Sequence, residues 1–378
     1  MFIKNCKKYG QKQQPLAKLL QLAKLLFGTN THYMGVIFLI FRDKFNIIII
    51  LATCLLIYST SSCDRHGHAG EKNLENIKVE VNINRIENQI KNIKQKEDVA
   101  KFLDKNETFA RIFLQKGVIP DSVVENSIWK ISQSTYIDTL TRQTNHYFGD
   151  MADLKAQFEK AFKIIKLNYP EFTPPPIYTV VTGFENDVYV SDSLIVIGLD
   201  CFLGDKAHYR MRDVPNYIYR RYRKEYVVPS VMMFLSNKYN EVETDFRKKT
   251  LLNEMIYHGK TYYFMERVIP NVPDSLVIGY TGREVENCRF NQDIIWGHFV
   301  ENNLFFDASL DKINRYIGER PFVGEIGDEC PGRIGRWLGW QIVRKYMESN
   351  PTVTLPNLMK DMNAKVIFEK SNYKPLQQ

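Results

Sequence analysis

Glu254 and His258 stand four residues apart in Leu251-Leu-Asn-Glu-Met-Ile-Tyr-His-Gly-Lys-Thr-Tyr-Tyr-Phe264, so on a helix they share one face. A carboxylate beside an imidazole can pass a proton or offer two ligands to one metal ion. Either chemistry needs more. A metal site takes at least three protein ligands, and a nucleophile needs a base that is itself held by a third group. His298, close to Trp296 on a second amphipathic segment, is the next candidate, and packing against an aromatic neighbour accounts for it. Glu254, His258 and His298 are therefore read as a vestigial site, with no catalytic residue, no metal and no cofactor expected.

Other chemistry is sparse. The chain has no G-x-G-x-x-G or G-x-x-x-x-G-K-[ST] loop, no G-x-S-x-G elbow and no H-E-x-x-H helix. The six His residues after the N-terminal segment include no i, i+4 pair, which excludes a helical two-His zinc site. His66 and His68 are too few ligands and sit in a polar stretch. Arg220, Arg221, Arg223 and Lys224 interleave with tyrosines in Tyr217-Ile-Tyr-Arg-Arg-Tyr-Arg-Lys-Glu-Tyr226. That pattern could grip phosphates or a nucleic-acid strand, but the charge distribution favours an amphipathic helix burying its tyrosines. The formal charge of +8 is concentrated at the N-terminus: residues 1–62 hold eight Lys and Arg against Asp43 alone, and the other 316 residues hold 43 against 42. Without a global basic field, no nucleic-acid partner is expected.

Cys63 carries a different chemistry. A basic flank, Arg42 and Lys44, precedes the apolar run Phe45–Tyr58, and Ser59-Thr-Ser-Ser62 leads into Cys63. This is the layout of a secretory signal peptide, too short for the roughly 20 residues of a spanning helix; the competing reading is a plain signal anchor. Three small hydroxyl residues before a Cys resemble a bacterial lipobox, with Thr60 where Leu is usual. In that pattern the thiol is acylated and the chain begins at the Cys, so Cys63 is the expected lipidation site and the membrane a partner. Residues 1–62 are the leader, of which 34–62 are the lipoprotein signal peptide. Residues 1–33 lie upstream of anything such a peptide needs and read as a start-site artefact. Cys201, Cys288 and Cys330 remain, compatible with one disulfide or three buried thiols.

The elements behind these residues are mostly helical. Residues 63–98 read as a polar tether and 99–378 as one globular domain. Phe102, Phe109, Ile112 and Phe113, then Leu154, Phe158, Phe162 and Ile165, recur at helical spacing. Ile177–Gly183 and Asp187–Gly198 are the strong strand signals, the second a hairpin turning at Ser191-Asp-Ser193. Helices are expected over 215–239, 244–268, 273–280, 282–303, 332–349 and 355–362. The fold class is α+β, a mostly helical body with a small antiparallel sheet. In the 332–349 helix, Ile334, Trp337, Leu338, Ile342 and Val343 should dock on the core, with Gly335 and Gly339 allowing close backbone approach.

Tyr147-Phe-Gly-Asp150, Ile197-Gly-Leu-Asp-Cys-Phe-Leu-Gly204, Val214-Pro-Asn-Tyr, Met255-Ile-Tyr-His-Gly-Lys260 and Pro331-Gly-Arg-Ile-Gly-Arg-Trp-Leu-Gly-Trp-Gln-Ile-Val343, behind a lipobox leader, resemble the gliding-motility lipoprotein family GldB over roughly 100–378. The resemblance implies a lipid-anchored cell-envelope protein needed for surface gliding, with other gliding and type IX secretion proteins as partners. The order of sheet and helices is also similar to that of zinc metallopeptidases. His258 stands where their third ligand, a Glu, would be, and Pro229–Leu235 has no ligand at all, which implies an inactive scaffold. Three functions follow for testing: a non-enzymatic scaffold or binding component, an envelope metallopeptidase-like hydrolase using Glu254, His258 and His298, and an aromatic-rich glycan- or peptide-binding module.

Overall fold

The structure, a computed structural model, describes residues 74–242 and 249–375. Cys63, the leader and the start of the tether lie outside the described residues. Strand β1 (Ile83–Arg85) is followed by helices α1 (Ile86–Lys91), α2 (Asp98–Lys105), α3 (Glu107–Ile112), α4 (Asp121–Ser132), α5 (Thr135–Phe148) and α6 (Ala152–Asn168). Strands β2 (Ile177–Val180), β3 (Val188–Val190) and β4 (Ile195–Gly198) come next. The second helical half holds α7 (Asn216–Tyr219), α8 (Val227–Ser236), α9 (Leu251–Val268), α10 (Asp274–Ile278), α11 (Gly282–Phe290), α12 (Gln292–Glu301), α13 (Leu310–Ile317), α14 (Ile334–Ser349), α15 (Leu355–Lys360) and α16 (Ala364–Ser371). This is the α+β class, helices dominating a small sheet.

The sheet is mixed rather than antiparallel. Its order is β1-β2-β4-β3, with β1–β2 and β2–β4 parallel and β3–β4 antiparallel. The expected hairpin is present, but the chain leaves β2, runs to the outer edge for β3, and returns between the two, so β4 runs alongside β2. The apolar run of β4 explains why it is central: Leu194 and Val196 face one apolar cluster, Ile195 and Ile197 the other. A strand covered on both faces reads as continuous hydrophobicity rather than alternation.

The tether expected to run to residue 98 ends earlier. Val81 and Ile86 are buried, β1 pairs with β2, and α1 packs Ile86 and Ile90 into the smaller cluster with Val99, Phe102 and Leu103. Buried Glu87 accepts from Thr179 Oγ1 (2.9 Å) and Arg85 Nε (2.8 Å), so a polar-looking segment is fastened across 92 residues of chain.

The larger core centres on α9 against α14. Ile334, Trp337, Leu338, Ile342 and Val343 are all buried, as the spacing requires. The two helices touch through backbone. A Cβ on Gly339 would lie 1.9 Å from the Met255 carbonyl oxygen, and one on Gly259 would lie 2.4 Å from that of Gly339. Among the described residues, no helix is long and apolar enough to cross a membrane.

Candidate functional site

Helix α9 carries the expected pair. It begins at a reciprocal cap in which Thr250 Oγ1 accepts from the Asn253 N–H and the Asn253 side chain accepts from the Thr250 N–H. Glu254, one residue further on, is met by Lys249 Nζ at 2.6 Å. His258 is one turn away and largely enclosed, its ring 5.1 Å from that of Tyr257. Loss of water and the cations Arg336, Arg333 and Lys249 push its pKa well below the ordinary imidazole value. Among the described residues no hydrogen bond joins Glu254 to His258. His298 on α12 is held separately: its Nε2 lies 2.8 Å from the Tyr316 hydroxyl, and burial lowers its pKa too. Sequence spacing thus placed Glu254 and His258 on one helix, and the fold gives all three residues different partners. Among the described residues no group of three His, Cys, Asp or Glu side chains is placed to hold a metal ion. Cys201, Cys288 and Cys330 are free thiols, each pushed up by burial.

Lys260, one residue past Gly259, was missed as a functional candidate. It is only 2% exposed, and its ammonium donates to the carbonyls of Glu241 (2.9 Å), Met359 (3.1 Å) and Asp361 (2.8 Å). All three donors are used. Burial lowers its pKa to about 8, with Asp361 and Glu241 opposing. Glu254, Tyr257 and Lys260 line a cavity of about 390 Å³ with Asn240 and Asp361. The signal was available: Leu252, Ile256 and Phe264 are buried at the same four-residue spacing, so Lys260 occupies an apolar position.

The basic cluster is neutralised across the fold. Arg220 makes two hydrogen bonds to Glu284 (3.0 and 2.7 Å), and Arg221 makes two to Glu319 (3.0 and 2.9 Å). Lys224 pairs with Asp153 at 3.6 Å, and Arg223 Nε donates to the Arg220 carbonyl. Bidentate pairs of this kind fix geometry as well as charge. Tyr219 and Tyr226 are buried beside them, but the amphipathic helix expected over 215–239 is broken: α7 ends at Tyr219, a turn carries Arg220 and Arg221, and α8 begins at Val227.

The described site defines a class: an α+β domain whose ionisable candidates are distributed among separate packing contacts. The model of the gliding motility protein GldB family matches residues 68–375, and the chain belongs to that family. It is thereby a lipoprotein-family member related to gliding motility. No curated protein and no solved structure is significantly similar to the chain.

Proposed function

We propose that the protein is anchored to a bacterial envelope membrane through lipid on Cys63 and supports gliding motility, with the associated type IX secretion machinery, as a non-enzymatic scaffold or binding component. Membership of the GldB family supports the motility setting. The observation that carries the non-catalytic part is the dispersal of Glu254, His258 and His298 onto Lys249, an enclosed aromatic setting and Tyr316. The partners are envelope proteins, docking on apolar side chains that remain exposed between residues 290 and 322.

Two variants test this in a gliding strain. Cys63→Ala should leave the leader uncleaved or release the domain from the membrane, and motility should fall. The double change Glu254→Gln with His258→Gln removes both titrating groups at nearly constant size and should leave gliding intact. Loss of gliding by the double variant at normal folded amounts would overturn the scaffold reading in favour of a hydrolase. Membrane retention of a fully processed Cys63→Ala chain would overturn the anchor.

A further inference from the structure

A second cavity lies between α8, α9, α10 and the start of α14, apart from Glu254, His258 and His298 and lined in part by Arg221 of the basic cluster. Its volume is about 260 Å³, just below the roughly 300–1,000 Å³ of small-molecule pockets. Met233, Phe234, Met265, Leu276, Val277 and Ile278 form apolar walls. Arg221, Glu319 and Arg333 line it as well.

Arg333 is the unusual group there. It is 5% exposed, yet its polar contacts are long, Nη2 to the Gly279 carbonyl at 3.4 Å and Nε to Glu319 at 3.5 Å, with its guanidinium carbon 5.4 Å from the centre of the Tyr280 ring. A guanidinium has five N–H donors, and good ones lie at about 2.7–3.2 Å from their acceptors. Burying so weakly satisfied a charge is costly. The backbone is also in a rarely adopted state, φ +63° without glycine, at the position that caps α14. Arg221 adds to the deficit, because its Nε is buried without a partner while both terminal nitrogens hold Glu319.

Room is kept for these two side chains by Gly279, at φ +75°, where a Cβ would sit 2.5 Å from Arg221 Cδ and 3.5 Å from Arg333 Nη2. Among the described residues, the two guanidiniums at this end share Glu319 as their one paired carboxylate; the charge of Glu284 also reaches Arg333, and that of Arg336 reaches Glu319. Asp187 lines the cavity too, its oxygens accepting from the neutral Tyr222 hydroxyl (3.0 Å) and Val188 N–H (2.7 Å), and among the described residues no ion pair joins it to Arg221 or Arg333. The end formed by Arg221 and Arg333 is therefore short of an anion, and the walls beside it are greasy.

We propose that this cavity binds a small apolar carboxylate, with its head between Arg221 and Arg333 and its tail against Met233, Met265 and Val277. A carboxylate head supplies acceptors that the arginines lack, and the cavity size limits the tail to a medium-length chain or a single side chain. A medium-chain acyl acid and the C-terminal residue of a peptide share this chemistry.

The test is calorimetric titration of the full-length chain in lipid nanodiscs, with empty discs subtracted, using octanoate, octan-1-ol and N-acetyl-leucine. A carboxylate should bind about tenfold or more tighter than the alcohol, the equivalent of one charge-assisted hydrogen bond. The tighter of octanoate and N-acetyl-leucine identifies the source as acyl acid or peptide terminus. Arg333→Met should weaken carboxylate binding by about the same factor. Because that variant removes a buried group, Glu319→Gln provides the second arm: it frees Arg221 from its internal partner and should tighten binding. Equal affinities for octanoate and octan-1-ol, no binding of either carboxylate, or weaker binding after Glu319→Gln would overturn the proposal.

Discussion

His258 shows how one side chain reports on its surroundings. Its pKa and that of His298 are lowered in the fold, His258 by desolvation and by Arg336 and Arg333, His298 by desolvation. Both therefore bind a proton less readily when folded than when unfolded, where an imidazole titrates near about 6.5. As pH falls through that value the unfolded chain takes up protons first, and stability is lost. Asp200 acts in the opposite sense, because burial raises its pKa and favours its protonated form in the fold, whereas Asp274 and Glu319 act only at lower pH. Burial opposes the ionised forms of Asp274 and Glu319, but Arg344 with Arg289, and Arg221 with Arg333, outweigh it and hold both below their ordinary values. Their stabilisation disappears only below about pH 4. The melting temperature should thus drop between pH 7.5 and 5.5, and His258→Gln should make the drop smaller. A flat wild-type profile across that window would remove His258 from the account. At this scale the sequence revealed residue types and local spacing only. The shared face of Glu254 and His258 followed from four-residue spacing, whereas Arg336 lies 78 residues beyond His258. The basic cluster fails in the same way, because Glu284 and Glu319 are 64 and 98 residues from the arginines they neutralise.

Elements were legible where one helix face was consistently apolar. Helix α14 could be read with its docking residues, because Ile334, Trp337, Leu338, Ile342 and Val343 repeat on one side and Gly335 and Gly339 interrupt the same stretch. Strand β1 could not, since Ile-Asn-Arg is three residues long and gains its status from pairing with Ile177–Thr179. The polar composition of 74–98 hid the buried positions of α1 for a related reason: few apolar residues suffice when each is fully covered. The two glycines of α14 differ in a way that can be measured. Alanine at 339 would force its Cβ into the Met255 backbone, so α9 and α14 must part. Overpacking of this kind costs about 1–3 kcal/mol, more than the roughly 1 kcal/mol that alanine gains over glycine in a helix. At 335 the Cβ would lie 3.0 Å from the Tyr316 carbonyl and 3.1 Å from the movable end of Ile317, and at 282 it would meet open space. Denaturant midpoints should fall most for Gly339→Ala, less for Gly335→Ala, and stay level or rise for Gly282→Ala. A midpoint for Gly339→Ala equal to that of the parent would reject the backbone contact.

For the whole molecule, the distribution of exposed apolar side chains matters more than net charge, since basic and acidic side chains nearly balance after the leader. Six of the fourteen large apolar side chains exposed among the described residues fall within residues 290–322: Phe290, Ile294, Val300, Phe306, Leu310 and Phe322. Single exposed apolar residues need no explanation, but large contiguous apolar patches mark surfaces that are covered in use, and Phe306 with Leu310, four residues apart, is the candidate pair for such a role. The sequence concealed this concentration, because exposure depends on what packs beside each residue. Phe305 and Phe306 are neighbours in the chain, yet Phe305 packs against Phe299 and Phe368 while Phe306 is 60% exposed. Under the proposed scaffold role, Phe306 and Leu310 touch a partner in the envelope. The double variant Phe306→Asp with Leu310→Asp should fold normally, because both side chains already face solvent, and substitutions at such sites change stability by about 0.5 kcal/mol or less. Its melting temperature and membrane fractionation should match the parent, while gliding and co-purification of envelope proteins should be reduced. Full motility in that variant would place the partner surface elsewhere. Reduced motility with a lowered melting temperature would assign the defect to folding and reject the docking role of these two residues.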